Sequence, residues 1–210
     1  MIILAHRGNL DGIAGARREN SPEAVRDALE AGFGVEIDVR AQGTRLYVSH
    51  DRRRWVRTRA FERYEPLLRR ADGQSIGLDI KDPGAVAPLE RRLRSLKLRR
   101  AFLFDFELAG ARPTSVRRHA VRVSDLPAED YRRRDLARWA YIWLDEMRRE
   151  WVTAALVRDL RRRSRARILW VSPELHGRPH TRRWRAARRW PIDGICTDYP
   201  LEFQRWWTDR

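Results

Sequence analysis

The chain has 210 residues, a hydrophobic fraction of 42% and a single cysteine, Cys196. That length supports one core of ordinary size, and one cysteine excludes an internal disulfide. The formal net charge is +16, yet only Lys81 and Lys97 among the 45 basic residues are lysine. Coding composition explains that bias more simply than a nucleic-acid surface does. The arginines run along the whole chain, as in Arg52–Arg54, Arg132–Arg134 and Arg161–Arg163, and no zinc knuckle, helix-turn-helix or RNA-recognition signature accompanies them.

Apolar and amphipathic stretches alternate from the start. "IILA" (2–5) reads as a strand. "SPEAVRDALEAG" (21–32) reads as a helix, with Ser21 as N-cap, Pro22 in its first turn and Gly32 as its stop. "GVEIDV" (34–39) is the next strand, and "TRLYVSH" (44–50) follows the Gln42-Gly43 turn as an extended excursion. A polar helix near 60–72 leads to the strand "SIGLDI" (75–80), then to a helix over 84–96. Three strands follow, at 101–106, 119–124 and 140–145, and an amphipathic helix over 149–163. The chain closes with a strand at 166–172, a helix at 181–190, a strand at 193–197 and a helix over 200–207.

Eight strand candidates, mostly separated by helices and with no linker between them, predict parallel βαβ units. One domain over 1–210, folded as a small (β/α)8 TIM barrel, is the expected architecture. The alternative, an open doubly wound sheet, is disfavoured because "HRGNLDG" (6–12) is not a phosphate-cradling glycine loop. No apolar run approaches the length of a membrane span, and Met1 to Ala5 is too short for a signal peptide. The expected location is the cytoplasm.

In such a barrel, chemistry sits where strands end. His6 and Arg7 follow the first strand, and Glu36 and Asp38 share one face of the second. His50 follows the excursion. Asp79 and Lys81 end the next strand, Glu174 and His176 follow 166–172, and Asp198 follows 193–197. Two carboxylates on one buried strand face are costly unless something positive lies between them. Three carboxylates without a thiolate form a hard oxygen site suited to Mg²⁺ or Ca²⁺. Arg7 and Lys81 offer positive charge to an anionic substrate, and two histidines can act as acid and base. Together these groups describe phosphoryl-ester chemistry.

"AHRG" (5–8), "EN" (19–20), "VEIDV" (35–39), "SHD" (49–51), "LDIK" (78–81) and "DGICTDYP" (193–200) stand in the order seen in glycerophosphodiester phosphodiesterases. The resemblance runs from residue 5 to residue 200. It implies a metal-dependent barrel that cleaves a small phosphodiester, with His6 and His50 catalytic and with Arg7 and Lys81 on the phosphate. It also implies Glu36, Asp38 and Asp79 as metal ligands, the last being aspartate where that family usually has glutamate. Aspartate there looks more like the sphingomyelinase D-type phospholipases, so the chain resembles a divergent branch. Glu174 is a candidate substrate contact. Glu19 and Asn20 are supporting residues, although they precede a helix start, where a turn or cap role competes. The runner-up functions are phospholipase D-like cleavage of a larger lipid, and an inactive basic module on nucleic acid or anionic membrane. Asp198 reads as a cap of the last helix, His119 and His180 as surface residues, and Trp184, Trp190 and Trp206 as packing.

Overall fold

The computed structural model describes residues 1–71 and 73–209. In chain order the elements are β1 (Ile2–Ala5), α1 (Pro22–Glu30), β2 (Gly34–Gln42), β3 (Arg45–Val48), α2 (Glu65–Arg70), β4 (Ile76–Ile80), α3 (Val86–Ser95) and β5 (Ala101–Phe104). They continue with β6 (Ala120–Val123), β7 (Tyr141–Leu144), α4 (Ala154–Arg163), β8 (Arg167–Val171), α5 (Thr181–Ala187), β9 (Gly194–Thr197) and α6 (Pro200–Thr208).

One sheet runs β5-β4-β2-β1-β9-β8-β7-β6, with β3 antiparallel to β2 outside that path. The other pairings are parallel, which yields the nearly closed eight-stranded barrel that the alternation predicts. β5 and β6 are the two ends of that strand order and meet at the closing seam, where side chains join them. The Leu103 N–H donates to His119 Nδ1 at 3.2 Å, and the Arg122 fork grips the Asp105 carboxylate, with Nε 2.7 Å from Oδ1. His119 is therefore buried, not on the surface as the sequence predicts. Its Nε2 faces Glu90 Oε1 at 3.3 Å. Inside the barrel, Phe102 stacks on Tyr141 and Phe104 on Trp143, with ring centroids 4.3 and 4.1 Å apart. Leu4, Leu169, Val171 and Cys196 complete that filling.

Local chemistry sets most element boundaries. Ser21 Oγ accepts from the Ala24 N–H at 3.1 Å, Pro22 opens α1, and Gly32 reverses the chain at φ +88. The expected helix over 149–163 begins only at Ala154, because Thr153 caps the Leu156 N–H and Glu146 Oε1 takes the Trp151 and Val152 N–H groups, each at 2.9 Å. The helix expected near 60–72 shortens to α2, preceded by 3₁₀ turns at Arg57–Arg59 and Phe61–Arg63. No α-helix separates β5 from β6 or β6 from β7 among the described residues. Trp184 and Trp190 are buried and Trp206 packs beside Trp184, as apolar filling. No described helix is long and apolar enough to cross a membrane.

Candidate active site

β1, β2 and β4 are neighbours, and their C-terminal ends carry the acid cluster. The register sets Glu36 opposite Gly77 and Asp38 opposite Asp79. One oxygen each of Glu36, Asp38 and Asp79 lies within 4.8 Å of the other two. All three residues are buried. Lys81 reaches back from the end of β4, with Nζ 2.7 Å from Asp79 Oδ2 and 3.0 Å from Asp38 Oδ1. Arg7 approaches from the end of β1, its Nε 2.9 Å from Asp38 Oδ2. That N–H is not aimed along the line of approach, so the contact is an ion pair without a formal hydrogen bond.

Three carboxylates thus face two cations, and the imbalance appears in their acidities. Burial, then the neighbouring Asp38 and Asp79, pushes the Glu36 carboxyl well above the usual range. Burial, then Asp105, pushes Asp79 up to about 8. Burial works against the Asp38 charge too, but Lys81, Arg7 and the Asn20 amide outweigh it and hold that carboxyl low. Burial also opposes the charge on Lys81 and Arg7, and the surrounding carboxylates more than restore it. Asp79 Oδ1 is buried with no hydrogen-bond partner. A hard oxygen without a donor, in a cluster short of positive charge, fits a divalent cation such as Mg²⁺ or Ca²⁺.

The turn after β1 is built around two left-handed residues, Arg7 at φ 52 and Asn20 at φ 59. The Asn20 N–H donates to Arg7 O at 2.8 Å. This conformation is costly for residues with a Cβ, and side chains hold it in place. Asn20 Nδ2 donates to Asp38 Oδ2 at 2.7 Å, its Oδ1 accepts from the Asp38 N–H, and Tyr64 Oη donates to Asn20 O at 2.5 Å. Glu19 accepts from Arg7 Nη1 at 2.9 Å and from Asn9 Nδ2 at 3.3 Å. Gly8, at φ +74, lies so near α1 that a Cβ would stand 2.8 Å from the Ala24 carbonyl carbon.

His6 Nδ1 lies 2.7 Å from Asp198 Oδ1, and its Nε2 lies 3.9 Å from Glu36 Oε2. Asp198 does not cap α6, whose N-cap is Tyr199 with no side-chain cap bond. The capping role expected of Asp198 is thus wrong: an acid two residues before a proline mimics a cap, and only barrel closure brings it to His6. Glu174 is held by the segments on either side of it. Its Oε1 accepts from Thr197 Oγ1 at 2.5 Å and the Asp198 N–H at 3.3 Å, and its Oε2 from the Ser172 hydroxyl. It braces the segment that carries Asp198. His176 Nε2 lies 2.6 Å from Asp145 Oδ1, whose Oδ2 accepts from Arg122 Nη1 at 2.6 Å. His180 is half-buried against Trp184 and Tyr199 rather than freely exposed.

His50 stands at the rim, its side chain half exposed, with Nδ1 3.0 Å from Asp51 Oδ1. It lines a cavity of about 570 Å³ together with Arg7, Glu19, Asn20 and Tyr64. Arg40, which the sequence did not single out, fixes its backbone. Arg40 Nε and Nη2 donate to His50 O at 3.0 and 2.6 Å, while Nη1 lies 3.2 Å from Asp82 Oδ1. A larger hollow, about 840 Å³ beside Tyr131 and Trp151, contains none of these groups.

No protein-family profile matches the chain, and no curated protein matches it. Among solved structures, the crystal structure of a glycerophosphodiester phosphodiesterase from Parabacteroides distasonis ATCC 8503 matches with a TM-score of 0.68 and 15% identity. The match covers 97% of this chain and 95% of that one. At that identity the likeness establishes a shared fold: this chain is built as that glycerophosphodiester phosphodiesterase barrel is built.

Proposed function

We propose that the protein is a divalent-cation-dependent phosphodiester hydrolase acting on a glycerophosphodiester or lysophospholipid-like substrate. The observation that carries this reading is the convergence of Glu36, Asp38 and Asp79 oxygens within 4.8 Å, beside Arg7, Lys81 and His6. The shared fold with a glycerophosphodiester phosphodiesterase supports it.

Glu36, Asp38 and Asp79 would hold Mg²⁺ or Ca²⁺. Such a cation, when bound, supplies Lewis-acid polarisation of a phosphoryl oxygen. Arg7 and Lys81 would contact the phosphate, since both are cations already concentrated by the buried carboxylates. The Asp198 carboxylate draws the His6 ring proton onto Nδ1, which leaves Nε2 free to exchange a proton with the reacting groups. His50, at the cavity rim that Arg7 also lines, would be the second proton-transfer group. One ring takes the proton of the attacking hydroxyl and the other returns one to the leaving alkoxide. The attacking hydroxyl is either water or the neighbouring hydroxyl of the substrate.

The test is turnover of glycerophosphocholine with Mg²⁺ or Ca²⁺ and with excess chelator. Choline release that depends on added cation supports the reading, and release unaffected by chelator contradicts it.

A further inference from the structure

The arginines that run along the chain are gathered by the fold. In a barrel of parallel strands, every connection that leads into a strand arrives at the end opposite the catalytic mouth. Arg99 leads into β5, Arg117 into β6, Arg138 into β7, Arg165 into β8 and Arg189 into β9. Those five strands are consecutive around the barrel, across the β5–β6 seam. The five arginines therefore stand on one arc, and Arg117 and Arg138 line the same hollow.

All five are exposed. None of their side chains has a carboxylate within the 4.0 Å of an ion pair among the described residues. At the mouth the acids and bases of the site itself are paired: Arg7 with Glu19, Lys81 with Asp79, Arg122 with Asp105. Exposed arginines without an ion pair among the described residues, Arg17, Arg54 and Arg57 included, lie on the β1–α1 and β3–α2 connections. Asp193, which also lies at the basic end, is engaged by Arg161 Nη2 and by the Ile168 N–H at 2.5 and 2.6 Å. A coding bias explains why these residues are arginine rather than lysine. The strand order, not the composition, is what sets five unpaired arginines on consecutive connections at one end of the barrel.

We infer that this end is a docking surface for the phosphate backbone of nucleic acid, bound without reading its sequence. Guanidinium groups free of internal partners suit phosphate oxygens, and release of counterions from a polyanion drives such binding with no apolar contact. A bilayer fits less well. Peripheral membrane binding adds apolar insertion to charge, and of the exposed large hydrophobics Met1, Ile13, Val56, Leu108 and Leu201, only Met1 stands at this end. A membrane held there would also lie on the side away from His6 and Lys81. The surface is separate from the proposed phosphodiesterase centre, and its test needs no turnover.

The experiment is fluorescence anisotropy of the full chain with a fluorescein-labelled duplex of arbitrary sequence across a salt series. In parallel, co-sedimentation is measured with phosphatidylglycerol vesicles. The wild type is expected to bind the duplex with an affinity that falls steeply with salt. A variant carrying Arg99→Gln, Arg117→Gln, Arg138→Gln, Arg165→Gln and Arg189→Gln is expected to bind about tenfold or more weakly near 0.1 M salt. Its salt slope should be shallower by about 0.9 for each phosphate that is no longer neutralised. These side chains make no hydrogen bonds with described residues, so melting temperature should not change; the pair Arg117→Gln, Arg138→Gln gives a milder second variant. A control pair at the other end, Arg54→Gln and Arg57→Gln, should lose much less per residue. The inference is overturned by failure of the wild type to bind duplex at low salt, or by an unchanged affinity and slope in the variants. It is equally overturned by an equal per-residue loss in the control, or by binding to vesicles but not to duplex.

Discussion

Asp38 and Asp79 are direct neighbours across the β2–β4 ladder, and one ammonium, Lys81 Nζ, stands 3.0 and 2.7 Å from them. With Glu36 beside them, the pair is short of positive charge, and Asp79 resolves this by holding its proton up to about 8. The expected consequence is a variant that gains as a fold and loses as a site. In chelator at neutral pH, Asp79→Asn should melt at or above the wild-type temperature, since a neutral amide replaces a carboxyl that is already protonated. Wild type should gain about 2.7 kcal/mol when Mg²⁺ or Ca²⁺ is present at roughly a hundred times its dissociation constant. Asp79→Asn should gain much less. Calorimetric melting with and without cation checks both halves.

The His6–Asp198 contact at 2.7 Å predicts a positioning role for Asp198. Asp198→Asn should lower kcat on the order of 10²-fold or more with KM little changed, because the amide stabilises the wrong ring tautomer. His6→Ala should lose about 10²–10⁴-fold. The double variant should lose far less than the product of the two. A KM rise with intact kcat would instead mark Asp198 as part of substrate binding.

His50 depends on Arg40, whose fork holds its carbonyl oxygen while reaching Asp82 beyond β4. Arg40→Gln should lower kcat by about 10- to 100-fold through misplacement of the loop. His50→Ala should lose about 10²–10⁴-fold. Adding Arg40→Gln to His50→Ala should cost little more. Steady-state rates of the three variants decide this, and full additivity would separate Arg40 from His50.

The barrel is legible in the sequence because its signals are local. Ser21-Pro22 fixes the start of α1, and short apolar runs such as "IILA" admit few alternatives. The acid cluster is legible because period-two spacing puts Glu36 and Asp38 on one strand face. What stays hidden depends on closure. Asp198 and His6 are 192 positions apart in the chain yet share a hydrogen bond. His119 carries no sign in its flanking "RRHA" that it will bridge β5 and β6 at the seam. The same limit applies to charge: the arginines look uniformly spread until the strand order brings five connections to one end.

Burial lowers the pKa of His119 and outweighs the Glu90 contact that would raise it. The unfolded chain then binds more protons than the folded one between the depressed value and the ordinary value near 6.5. Stability from this site is therefore full above that ordinary value and is lost as pH falls toward the depressed one. His119→Gln should be less stable than wild type at neutral pH, yet lose less stability between neutral and mildly acid conditions. Denaturant melts at a series of pH values check the sign, and a parallel fall in both proteins would show that His119 does not set the pH dependence.

The most direct measurement of the central claim is ³¹P NMR of glycerophosphocholine incubated with the purified protein. Four samples are compared: added Mg²⁺ or Ca²⁺, excess chelator, Asp38→Asn with cation, and no protein. The phosphodiester resonance is expected to be replaced by that of a phosphomonoester or a cyclic phosphate only in the wild-type sample with cation. Undiminished conversion in chelator or by Asp38→Asn, or no conversion in any sample, would contradict the claim.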